Sequence, residues 1–204
     1  MKRYVKQKKL RVFLAVELSL DLLRKVVELQ CQLRDGLPKI NWVPPESLHL
    51  TLKFLGYVDA PMVEQILTAI EPIRTSQQAF TLEVKGVGVF PHLRRPRILW
   101  VGCTGDIPAL LTLVSRIEGA LEPLGFPPED KPFFPHLTLA RINHNNTQVG
   151  GALTQSGFLE QSQALGILHI DRITLFRSEV SQSGAEYTAL RTLPFNEPGS
   201  HISI

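Results

Sequence analysis

Two histidines stand in the same four-residue phrase, HLTL, at 49–52 and again at 136–139, 87 residues apart. In an extended chain successive side chains point to opposite faces. Each phrase therefore presents an imidazole and a hydroxyl side by side, His49 with Thr51 and His136 with Thr138. Imidazole is the side chain whose ordinary pKa lies near neutrality, so one of a pair can take a proton while the other gives one. Two such groups flanking a tetrahedral phosphorus suit in-line displacement. One deprotonates the attacking oxygen and the other protonates the leaving oxygen, while the threonine hydroxyls donate to the non-bridging oxygens where charge gathers. No metal is required if the substrate carries its own nucleophile or is strained, as a 2′,3′-cyclic phosphate is.

The elements that must hold these phrases occur twice in the same order. RVFLAV (11–16) reads as a strand, and Ser19 caps an amphipathic helix over LDLLRKVVELQCQL. INWV (40–43) and SLHLTLKFLG are further strands. MVEQILTAIEPI is a second helix with Pro61 at its start, and FTLEVKGVGVF (80–90) is extended. RILWVG (97–102) then resembles RVFLAV down to its leading arginine. Asp106 caps another helix, DIPALLTLVSRIEGALEPL, and HLTLAR closes the unit. Arg11 lies 38 residues before His49, and Arg97 lies 39 before His136. ALGILHIDRITLFRSEV and AEYTALRTLPF are two long extended segments that finish the second half. Two copies of one unit pack about an approximate two-fold axis, so features repeated in both tend to meet across it. The strand and helix rhythm argues for an α+β fold.

Strict alternation puts Leu48, Leu50, Leu52 and Phe54 in the core and His49, Thr51 and Lys53 on the opposite face. In the second copy it sends Leu137, Leu139 and Arg141 inward. Arg141 then reaches the site only if the strand bulges or ends near Ala140.

The chain of 204 residues is long enough for a substantial core, with 44% hydrophobic and 20% charged residues. The expected organisation is a basic arm (1–10), a single catalytic domain (11–195) with repeat units at 11–90 and 97–195, and a tail (196–204). The net charge of +3 sits largely in MKRYVKQKKLR, which is either an arm for polyanions or a solvated terminus. No apolar run approaches the roughly 20 residues that cross a bilayer. Cys31 and Cys103 lack metal or redox spacing and read as reduced packing cysteines of a cytoplasmic protein. His92, His144, His169 and His201 form no ligand spacing, so no metal and no cofactor is expected. GVGV (86–89) lacks the rest of a dinucleotide fingerprint.

Taken together, RVFLAVEL, WVPPESLHLTLKFLG, GVGVFP…PRILWVG and PHLTLAR resemble the two-histidine (2H) phosphoesterases. The chain looks most like the LigT/ThpR-type RNA 2′,3′-cyclic phosphodiesterases, historically called 2′-5′ RNA ligases. The resemblance implies a bilobal, internally duplicated α+β fold with mostly antiparallel sheets, helices outside and a central cleft. It implies metal-independent hydrolysis of an RNA 2′,3′-cyclic phosphate to a 2′-phosphate by a monomer acting on RNA ends. His49 would then be the proton donor to the 3′-oxygen and His136 the proton acceptor from water. Thr51, Thr138 and Arg141 would bind the phosphate. Phe90 and Phe176, at strand ends, either stack a base or pack in the core. Arg94, Arg95 and Arg97 either hold an RNA backbone or form an exposed basic loop. The rival readings are another 2H activity, 2′-5′ ligation or nucleotide cyclic phosphodiesterase, and a catalytically idle RNA-end-binding protein.

Overall fold

The computed structural model describes residues 9–144, 146–160, 163–181 and 184–195; most of the basic arm and the tail from 196 onward lie outside these. The first half of the chain contains β1 (Leu10–Glu17), α1 (Leu20–Gly36), β2 (Asn41–Trp42), β3 (His49–Val58), α2 (Ala60–Ser76) and β4 (Phe80–Phe90). The second contains β5 (Ile98–Gly105), α3 (Ile107–Leu121), β6 (His136–Arg141), α4 (Asn146–Ser156), β7 (Gly166–Ile170), β8 (Arg172–Ser181) and β9 (Gly184–Pro194).

Side-chain oxygens start three of the helices. Ser19 Oγ accepts from Leu22 N, Asp59 Oδ1 from Met62 N and Asp106 Oδ1 from Ala109 N. Leu22, Val26, Leu29 and Leu33 are the buried stripe of α1. Leu110, Val114, Ile117 and Leu121 repeat its spacing in α3, each 88 residues later.

The strands form one sheet in the order β7-β4-β5-β6-β3-β1-β8-β9, with β2 added against β6, and every pairing is antiparallel. The order is symmetric about the β6–β3 junction: β4-β5-β6 on one side mirrors β8-β1-β3 on the other. The repeats thus exchange a strand. β4, from the first repeat, lies beside β5, and β8, from the second, lies beside β1. Only Asp171 separates β7 from β8, although the two stand near opposite ends of the sheet. Two Cα steps span at most about 7 Å, so the sheet must curl to bring its flanks together. The main core fills the helix-covered face, and a small second cluster of Phe13, Ala15 and Phe176 with Tyr187 lies on the other.

Several expectations need correction. ALGILHIDRITLFRSEV is two strands broken at Asp171, a position periodicity cannot mark because both pieces alternate. Residues Asn146–Ser156, for which no element was expected, form α4, where paired Gly150 and Gly151 and sparse apolar residues hide the helical period. RVFLAV and RILWVG align one residue out of step: Ala15 faces Thr51 as Trp100 faces Thr138, so Arg11 and Arg97 are not counterparts. Cys31 is exposed rather than packed. Cys103 is buried, and its thiol is pushed up to about 12 by that burial. GVGV serves packing: Gly86 adopts φ +76° at a bulge, and a Cβ at Gly88 would overlap the Trp100 indole.

Candidate active site

Strands β3 and β6 meet at the centre of the sheet, and among the described residues they pair at one position, Leu50 with Leu137. That register sets His49 level with Thr138, and Thr51 level with His136. The four polar side chains lie on one face about a local two-fold axis, while Leu50 and Leu137 point into the core, 1% and 0% exposed.

At the last residue of each phrase the strand bulges. Leu14 pairs with Lys53 but Ala15 with Thr51, leaving Leu52 as the extra residue of β3. Leu99 pairs with Ala140 but Trp100 with Thr138, leaving Leu139 as the extra residue of β6. An extra residue reverses the alternation that follows it. In β3 this corrects two assignments, since Lys53 is buried at 4% exposure and Phe54 faces out at 51%. In β6 Ala140 is buried and Arg141 is exposed on the face of His136 and Thr138. Strict alternation had sent Arg141 to the core.

Both imidazoles are held alike. His49 Nδ1–H donates to the Ser47 carbonyl at 2.8 Å, and His136 Nδ1–H donates to the Phe134 carbonyl at 2.7 Å. A carbonyl only accepts, so Nδ1 carries the proton in each neutral ring and Nε2 is left for proton exchange. Thr51 Oγ1 lies 3.0 Å from His49 Nε2. Burial is the main cause that pulls His49 down to about 4; the Ser47 hydrogen bond opposes it, and the charges of Arg141 and His136 add to it. His136 is lowered as well, again by burial first, with the Arg141 charge contributing. Arg141 therefore acts electrostatically on both rings.

Each bulge is braced from the opposite repeat. In α1, the buried Gln30 side-chain amide donates from Nε2 to the carbonyls of Val43 and of Leu139, both at 2.9 Å. In α3, Glu118 occupies the equivalent position. Its Oε1 accepts from Lys53 Nζ at 3.1 Å and from Glu129 N at 3.0 Å, and Lys53 Nζ also donates to the Pro127 carbonyl at 2.8 Å. The same helix position in both repeats thus ties the bulge after one HLTL to the proline-containing connection before the other.

Aromatic rings wall both histidines. Phe13 lies 4.8 Å and Tyr187 5.2 Å from the His49 ring, with Phe176 at 6.2 Å. Phe90 lies 5.1 Å and Phe134 6.3 Å from His136. Phe90 pairs with Ile98 and Phe176 with Phe13, so the two phenylalanines singled out in the sequence are structural counterparts. A cavity of about 190 Å³ beside His49 is lined by Glu17, Glu46, Phe176 and Tyr187. A larger one, about 690 Å³, borders Phe90, Arg95, Arg97 and Asn143 but not Arg94. His92 lies on this second cavity, whereas His144 and His169 line neither. Sequence reasoning missed Tyr187, Trp100 and Gln30. The one available signal was Gly88, a gap opposite Trp100 in the adjacent strand. Among the described residues no three His, Cys, Asp or Glu side chains cluster as metal ligands would, and no helix is long and apolar enough to cross a membrane.

A family model described as LigT like phosphoesterase matches the chain twice, over residues 16–100 and 101–187. The chain is 34% identical to an RNA 2′,3′-cyclic phosphodiesterase of Aeropyrum pernix, covering 76% of this chain and 85% of that one. It is 30% identical to a protein of the same description from Methanothermobacter thermautotrophicus, covering 88% and 96%. A solved Thermus thermophilus structure superposes with a TM-score of 0.76 at 28% identity, covering 91% of this chain and 97% of that one. The Escherichia coli LigT structure complexed with 3′-AMP has the same fold, with a TM-score of 0.72 at 23% identity and coverage of 92% and 99%.

Proposed function

The chain belongs to the LigT like phosphoesterase family, and from that premise we propose that it opens the terminal 2′,3′-cyclic phosphate of RNA to a 2′-phosphate with His49 and His136 as its acid–base pair. The observation that carries this reading is the Leu50–Leu137 register, which makes two identical imidazole–hydroxyl pairs face one another. The relatives described as RNA 2′,3′-cyclic phosphodiesterases supply the substrate class.

In the forward step water attacks phosphorus as the bond to the 3′-oxygen breaks. His136 Nε2 takes the proton from water, and protonated His49 gives its Nε2 proton to the departing 3′-oxygen. The Nδ1 bonds to Ser47 and Phe134 hold both rings in the tautomer this needs. Thr51 and Thr138 donate to the non-bridging oxygens, and Arg141, turned outward by its bulge, adds the full charge that opposes theirs. Half-buried Phe90 forms a wall on which a base can lie, whereas Phe176, mid-strand in β8, is 9% exposed and stacked on Phe13. The strain of the five-membered cyclic diester lets the reaction run without a metal ion. Two free thiols, one exposed, support work in a reducing, cytoplasmic setting.

The test is product identity. A short RNA ending in 2′,3′-cyclic phosphate is incubated with the protein, and phosphorus NMR reads the new monoester. A 2′-phosphate is expected; a 3′-phosphate would exchange the leaving oxygen, and an unopened ring would remove the assignment.

A further inference from the structure

We propose that the groove beside the β4–β5 hairpin binds the phosphodiester backbone of the substrate RNA a nucleotide or two upstream of its cyclic end. The enzyme would then select an oligonucleotide over a cyclic mononucleotide. The proposal rests on the phosphodiesterase reading and adds a second contact site to it.

The groove, about 690 Å³, adjoins the reaction centre through two of its lining residues, Phe90 and Ile98. Phe90 forms its wall and also stands 5.1 Å from the His136 ring, while Ile98 on its floor is paired with Arg141. Ile142 and Asn143 extend it along the chain past β6. At about 3.3 Å per residue of extended chain they lie at most about 20 and about 23 Å from His136, a separation that a short run of nucleotides can span. Arg95 and Arg97 line the groove, both exposed, and neither is ion-paired to a described residue.

The hairpin that carries these arginines is built to hold still. Arg97 N donates to the Phe90 carbonyl at 2.7 Å and Ile142 N to the Arg97 carbonyl at 2.8 Å. Pro96 is buried, and α4 approaches the hairpin so closely that a Cβ at Gly150 would overlap the Leu93 carbonyl oxygen. Two cations on a seated turn, next to an aromatic wall, match a single-stranded polyanion.

The opposite flank excludes the same ligand. The cavity beside His49 carries Glu17 and Glu46 and no arginine or lysine. A phosphodiester chain leaving the reaction centre is repelled there and attracted toward Arg95 and Arg97. The aromatic lining of the acidic side suits an uncharged base instead.

The experiment compares kcat/KM for a cyclic-phosphate oligonucleotide with that for a 2′,3′-cyclic mononucleotide, over a range of salt. For Arg95→Ala combined with Arg97→Ala, the ratio of the two values falls about tenfold, and the salt slope for the oligonucleotide becomes shallower by about 0.7 for each phosphate no longer neutralised. Arg94→Ala removes a charge from the same loop outside the groove and keeps the wild-type ratio. An unchanged ratio in the double variant overturns the proposal, as does an Arg94→Ala effect as large as that of Arg95→Ala alone. If the wild type turns over neither substrate, the phosphodiesterase reading fails separately. Fluorescence anisotropy with a labelled oligonucleotide ending in 2′-phosphate then decides the groove: weaker binding in the double variant but not in Arg94→Ala supports it, and equal binding overturns it.

Discussion

The side-chain amide of Gln30 donates to the main-chain carbonyl of Leu139 at 2.9 Å, joining residues 109 apart in sequence. Leu139 is the extra residue of β6 whose presence turns Arg141 from the core to the cleft. A glutamine inside α1 thereby holds the backbone irregularity that delivers a cation to the phosphate site. Gln30→Leu leaves the Val43 and Leu139 carbonyls without this donor, at a cost of about 1–3 kcal/mol. Activity is expected to fall about tenfold as Arg141 loses its position. In an Arg141→Ala background the same change should lower kcat/KM no further; an additive loss in that double-mutant cycle would show that Gln30 does not act through Arg141.

The counterpart brace is ionic. Lys53 and Glu118 have side chains 2% and 18% exposed and lie 3.1 Å apart. Removing one buried partner strands the other, so Lys53→Met is expected to cost about 3–5 kcal/mol by urea denaturation. Adding Glu118→Leu should return part of that loss. A midpoint unmoved by Lys53→Met would show that the pair carries no such weight.

The depressed imidazoles fix the direction of the pH profile. A general acid must hold its proton, so rate falls as pH rises through the higher of the two pKa values. A general base must be free, so rate falls as pH drops through the lower. His49 is near 4 and His136 below its ordinary 6.5, so the bell in kcat/KM should centre on the acid side of neutrality. Arg141→Met removes a charge that lowers both rings and should move the bell to higher pH as it slows the reaction. A kcat/KM optimum above pH 7 in the wild type, or an unmoved bell in the variant, would contradict this.

The same shift couples to stability. The unfolded chain protonates His49 near 6.5, while the folded protein resists until about 4. The unfolded state thus binds more protons in that window. The contribution of His49 is full above pH 6.5 and is expected to decline by roughly 3 kcal/mol as pH falls to 4. Thermal melts of the wild type and His49→Asn across this window test it, since the variant should lose less on acidification.

The duplication, the helix caps at Ser19 and Asp106, and the meeting of His49, Thr51, His136 and Thr138 on one face were legible because each depends on local period and spacing. The bulges at Leu52 and Leu139 were not, because an extra residue is defined only against its partner strand. That is why Phe54 and Lys53 were assigned to the wrong faces and Arg141 stayed conditional. The strand exchange was hidden for the same reason. Nothing in FTLEVKGVGVF says that β4 joins β5, and nothing in RITLFRSEV says that β8 returns to β1. Tyr187 reaches His49 only through that return, by way of β9.

The most direct test of the two-imidazole mechanism is turnover of an RNA 2′,3′-cyclic phosphate in EDTA by the wild type, His49→Ala and His136→Ala. Undiminished wild-type turnover is expected, with each alanine variant slowed by about 10²–10⁴-fold or more. Loss of wild-type activity to the chelator, or variants as fast as the wild type, would contradict it.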